Sequence, residues 1–247
     1  MSSTNNLRPS YKIDVVTAER LIKNYNHILI AGVLTGKITK EQAIIGGTIQ
    51  KDSIEGSGSG DGQLYSGNMA WYCLGSDNKL FAAFERNSKY RVGDNRPVFP
   101  DKSELVCPTA EALIHYDESG DVLNKLIKLE RPIPANVDLK INKDKVIAHT
   151  TRFTSIEPFK DYNDNPFGFF ANKKDIIDSD VDDFLEPLNM KYIRYFFGYD
   201  NLAGYENARL RIILIGTDAA GKNLLPAVPA SIDTANNVIL QTSWPPD

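Results

Sequence analysis

The chain has 247 residues, 42% of them hydrophobic and 24% charged, and a formal net charge of −4. That length holds one large domain or two small ones, each with its own core, and the composition is that of a folded chain with a mixed-charge surface. Lys and Arg form no basic stripe, which excludes nucleic acid as the expected partner, and no run approaches the ~18 apolar residues of a membrane span.

In chain order, MSSTNNLRPS (1–10) is a polar tail without the apolar region of a secretory signal. VVTAERLIKNY (15–25) places Val15, Ala18, Leu21, Ile22 and Tyr25 on one helical face. ITKEQAIIGG (38–47) predicts a short helix, with Thr39 and Gln42 as a capping box and Gly46-Gly47 as its stop. EGSGSGDGQ (55–63) is a loop. MAWYCLG (69–75) and KLFAAFER (79–86) read as strands joined by Ser76-Asp77-Asn78, followed by an irregular connection over 87–103 and a short strand ELVCP (104–108). TAEALIHY and DVLNKLIKLE (121–130) predict helical pieces, and VDLKI with KVIAHT a hairpin through Asn142-Lys143-Asp144. Further on, an acidic DSDVDDFLEPL precedes strands over 191–198, 208–216 and 236–242. The mixture of helices and hairpin-linked strands predicts an α+β fold with antiparallel sheets and short helices.

The two halves share an order of similar pieces. IKNYN (22–26) matches FKDYN (159–163), ITKEQAI (38–44) matches ANKKDII (171–177), and WYCLGSDN (71–78) matches RYFFGYDN (194–201). An internal duplication gives two tandem units, 11–110 and 149–247, after the tail 1–10 and around a helical connector at 111–148. The alternative is one domain whose halves are both α+β. The second half also resembles a family of small uncharacterised bacterial proteins, through GFFANKKDI, YIRYFFGYD, RLRIILIGTDAAGKN and SWPPD. That family carries Cys beside its terminal Pro-Pro, where this chain has Trp244. The resemblance implies the α+β unit and no reaction.

IILIGTDAAGKN (212–223) nearly spells a phosphate-binding loop. Asn223 stands where Ser or Thr should hold magnesium, and Pro226 and Pro229 forbid the helix that should follow. Asp218 and Gly221 instead supply turn chemistry, so a β-hairpin is expected. Asp178, Asp180 and Asp182 begin a calcium-loop pattern that fails at Asp183 and Asn189; Ser179 as a helix cap fits the run better. His27, His115 and His149 lack metal-ligand spacing, so no metal and no cofactor are expected. Cys73 and Cys107 belong to no CxxC and read as buried thiols of a cytoplasmic protein, with Cys73 in a strand as packing rather than a nucleophile. No catalytic residue stands out.

The remaining feature is aromatic. Tyr192, Arg194 and Phe196 share one face of a strand, and Tyr195 and Phe197 the other, with Trp71 on a neighbouring strand. One face is core; the other is either a second packed layer or a contact surface. Taken as interface candidates, these residues lead to a non-catalytic protein-interaction or assembly component of a bacterium or phage, with a protein partner or self-association. The alternative is a small-molecule-binding protein or enzyme with a pocket between the two units.

Overall fold

Asp14 starts the first helix. A computed structural model of the chain describes residues 12–54, 64–91, 105–128, 130–155, 167–172, 180–200, 209–226 and 238–241. In it the Asp14 carboxylate accepts the Thr17 amide at 2.6 Å, which satisfies one open donor of the helix end, and the Asp14 carbonyl accepts the Ala18 amide as the first bond of the helix. Helix α1 then runs Val15–Leu34, burying Ala18, Leu21, Ile22, Tyr25 and Leu29 as one stripe. It outlasts the predicted 15–25 because Leu29 and Val33 prolong the apolar face.

The predicted helix at 38–47 is a single turn. The Gln42 side chain does accept the Thr39 amide at 2.9 Å, but the β-branched run that follows becomes strand β2 (Ile44–Gln50). Gly46 and Gly47 are strand residues, not a helix stop. A side chain at Gly47 would meet the ring of Tyr195, its Cβ 2.7 Å from the phenol oxygen. Tertiary packing overrides the local signal here.

Among the described residues there are ten further strands: β1 (Lys12–Ile13), β3 (Leu64–Leu74), β4 (Leu80–Arg91), β5 (Leu105–Pro108), β6 (Leu113–His115), β7 (Asp138–Ile141), β8 (Phe167–Asn172), β9 (Tyr192–Asp200), β10 (Arg209–Thr217) and β11 (Ile239–Gln241). They form two antiparallel sheets, ordered β1-β11-β10-β9-β2-β6 and β7-β5-β4-β3-β8. With α2 (Lys143–Ser155) and α3 (Asp180–Leu185) the architecture is α+β, as the sequence predicts. Among the described residues no helix is long and apolar enough to cross a membrane.

The sheets share a plan. In each, a hairpin carries the next strand of the chain on one side, β5 beside β4 and β11 beside β10. On the other side it carries a strand from the opposite stretch of sequence, β8 beside β3 and β2 beside β9. The helices cross in the same way, α1 packing on β9 and α2 on β3. Strands from 11–110 and 149–247 are therefore interleaved within both sheets rather than held in separate bodies. The stretch 111–148, expected to be a helical connector, contributes edge strands β6 and β7, a π-helical turn at Leu123–Ile127 and the start of α2. TAEALIHY is a 3-10 turn and β6, and KVIAHT lies in α2, whose N-terminus Asn142 caps by accepting the Lys145 amide at 2.9 Å. The tail, the loop at 55–63, the segment 159–163 and SWPPD lie outside the described residues.

Between the sheets, Tyr195 packs edge-on against Phe84 at 5.2 Å and Tyr72 against Phe197 at 6.0 Å. Tyr25 of α1 and Phe153 of α2 join the same group, at 5.5 Å from Phe197 and 5.4 Å from Tyr72. The Tyr195 hydroxyl accepts the Ala82 amide at 3.1 Å, a bond from one sheet to the backbone of the other. Tyr195→Phe strands that buried donor and is expected to cost ~1–2 kcal/mol. A lower urea midpoint at unchanged m-value is the expected readout; an unchanged midpoint would show that the bond contributes nothing net.

Candidate functional site

Five of the six aromatic-strand candidates are interior. Trp71 is 3% exposed, and its indole N–H donates to Glu85 Oε2 at 3.1 Å on the hairpin partner strand. Tyr195, Phe196 and Phe197 are fully buried, Arg194 is 1% exposed, and Tyr192 is half-buried at the start of β9. Both faces of β9 are packed layers, so the packing alternative describes these side chains.

Arg194 lies at the centre of a polar cluster. Its guanidinium donates to the Gly221 carbonyl at 2.8 Å and to Asn223 Oδ1 at 2.7 Å through Nη1, and to the Arg131 carbonyl at 2.6 Å through Nη2. Asn223 Oδ1 also accepts from the Thr217 hydroxyl, while Nδ2 donates to the carbonyls of Leu126 and Ile127. The cluster ties β9, the end of β10 and the 126–131 loop together.

The loop after β10 forms as its turn chemistry predicts. The Asp218 carboxylate accepts the Ala220 and Lys222 amides at 2.9 Å each, and the Asp218 carbonyl accepts the Gly221 amide. Those N–H groups, which a phosphate loop would aim at its ligand, are engaged within the turn. The chain reverses into a Thr217–Asn223 bridge and Gly221 takes φ +89°. Asn223, a poor magnesium ligand by sequence, is the hub that fastens this turn.

A cavity of about 230 Å³ adjoins the cluster, lined by Arg194 and Arg131 together with Thr48, Glu111, Ile114 and Pro132. Thr48 sits directly opposite Arg194 in the β2–β9 ladder. Burial lowers the Arg131 pKa, with Asp117 opposing the shift.

A larger groove, about 580 Å³, lies on the outer face of the second sheet beside α2. Phe81 of β4, Cys107 of β5 and Leu139 and Ile141 of β7 give it an apolar floor, and Lys79, Lys145 and His149 stand among its polar walls. Leu139 is 47% exposed there. Lys79 pairs with Asp77 at 3.2 Å, and His149 places Nδ1 3.2 Å from the Leu74 carbonyl with its ring edge-on to Phe81. Burial pushes the Cys107 thiol up to about 11, helped by Asp138, and the Cys73 thiol, beside the Thr150 hydroxyl, up to about 12. Both cysteines are free. Arg194, Asn223, His149 and the two cysteines are visible singly in the sequence, but neither cavity is, because the groove joins three separate stretches of chain and the smaller cavity four. No family model, curated protein or solved structure matches the chain.

Proposed function

We propose that this chain works by binding rather than catalysis, and that its ligand is a small amphipathic carboxylate seated in the groove beside α2. The observation that carries this is the groove itself: a 580 Å³ concavity in which Leu139 stays exposed on an apolar floor under a lysine-bearing wall. Lys145 is exposed and has no carboxylate within ion-pair distance among the described residues, which leaves its ammonium for a ligand head group. A thiol held up to about 11 is a poor nucleophile at neutral pH, which supports a binding role for the groove that Cys107 lines. Free buried thiols fit a cytoplasmic protein. The matching sheet plans support an internal duplication in which each half lends a helix and a strand to the other. The family resemblance of the second half brings no ligand with it.

Octanoate titration by calorimetry tests the site. Wild type is expected to bind saturably, and Leu139→Asp and Lys145→Glu each to weaken binding roughly tenfold or more. Binding unchanged in both variants, or absent in wild type, would sink the proposal. The assembly component expected from the aromatic strands has lost its proposed surface residues, Tyr192 aside. A stable higher-order species in light scattering, with no octanoate binding, would bring it back.

A further inference from the structure

We infer that the cavity between Arg131 and Arg194 is a binding site for a small oxyanion, distinct from the groove beside α2. Arg194 is 1% exposed, and every acceptor it meets is a neutral carbonyl or amide oxygen. A guanidinium has five N–H donors. Three are accounted for by these bonds, and the other two have no partner among the described residues. Arg131 brings a second, half-buried guanidinium to the same cavity, and its side chain has no hydrogen bond or ion pair to a described residue. Neither arginine has a carboxylate within ion-pair distance among those residues.

Two like charges have thus been gathered, partly stripped of water, around open space. Isolated buried charge is costly, and an arginine cannot shed its proton at neutral pH to escape that cost. Burial, with the neighbouring Arg131 adding to it and Asp218 opposing, lowers Arg194 to about 10. A bound anion removes the repulsion and engages the spare donors with the planar geometry that suits carboxylate, phosphate or sulfate. Thr48, across the ladder from Arg194, adds a hydroxyl-bearing side chain to the wall. Glu111 is exposed at the cavity and sets a negative limit on how much charge the site accepts.

The test uses the full chain, exchanged into chloride at fixed ionic strength and titrated separately with inorganic phosphate, sulfate and succinate. A saturable rise in melting temperature is expected for at least one of them, about 5–10 °C at a hundred times its Kd. The best of the three identifies the source as a phosphate, a sulfate or a carboxylate. Arg131→Gln, whose backbone contacts remain, weakens that response at least roughly tenfold; Arg131→Lys retains part of it. Glu111→Gln strengthens it, and Lys145→Glu in the groove leaves it unchanged, which keeps the two sites apart. No saturable response beyond chloride, or Arg131→Gln binding as wild type, overturns the assignment.

Discussion

Gly221→Ala is expected to destabilise the chain by ~3 kcal/mol or more, a fall in Tm of roughly 10 °C for a domain of this size. Two costs coincide. The residue sits at φ +89°, where a side chain is strained, and a Cβ built there lies 1.8 Å from the Arg131 carbonyl oxygen. That oxygen belongs to backbone and is held by Arg194 Nη2, so it cannot turn aside without breaking the polar cluster. Gly120 supplies the control. It also has positive φ, +68°, but a Cβ there meets nothing closer than His27 Nε2 at 3.8 Å. Gly120→Ala therefore carries only the backbone penalty, ~1 kcal/mol. Thermal denaturation of the two variants side by side separates conformation from contact. Equal losses would show that the close approach to Arg131 relaxes freely.

Arg194→Met removes the side chain that joins three segments, and a loss of about 3 kcal/mol is expected. The Arg131 carbonyl is left without its hydrogen-bond donor. The Gly221 carbonyl keeps the Arg131 amide at 3.0 Å, and Asn223 Oδ1 keeps the Thr217 hydroxyl at 3.1 Å. Against this stands the relief of a desolvated cation, which sets the sign of the competition. Charge-assisted bonds contribute more each than neutral ones, and three of them outweigh that relief. Arg194→Lys keeps the charge, but one nitrogen cannot span the acceptors that Nη1 and Nη2 reach, so it recovers less than half of the loss. Denaturant midpoints decide the matter. A methionine variant as stable as wild type would mean that the cation's burial costs as much as its bonds return.

Local chemistry made the two hairpin regions legible. The turn between β3 and β4 follows from Ser76-Asp77-Asn78, where Asn78 accepts φ +62°, and the turn after β10 follows from Asp218 and Gly221. Helix α2 was misread because Asn142-Lys143-Asp144 spells a hairpin turn as readily as a helix cap. Its β-branched residues also favour a strand, yet Val146, Thr150 and Phe153 recur at helical spacing and cover the second sheet. At 38–47 the opposite holds: the Gln42 half of the capping box forms, but the glycines answer to Tyr195, far away in sequence. Strand alternation places Arg194 among aromatic neighbours on a face that is either a packed layer or a contact surface, and says nothing of a polar cluster. The true partners of Arg194, Asn223 and the Arg131 carbonyl, are 29 and 63 residues distant, a separation that no spacing rule spans.

The crossed arrangement of the halves bears on how the chain emerges from the ribosome. β2 finds its neighbour β9 through pairs such as Ile49 with Ile193, so its partner is synthesised about 140 residues later. At translation rates of roughly 5–20 residues per second, that is a wait of about 7–30 s. Throughout it a nascent segment rich in isoleucine has one edge with nothing to zip against. The closing of the first sheet is thus a late event, postponed until β9, β10 and β11 have been made.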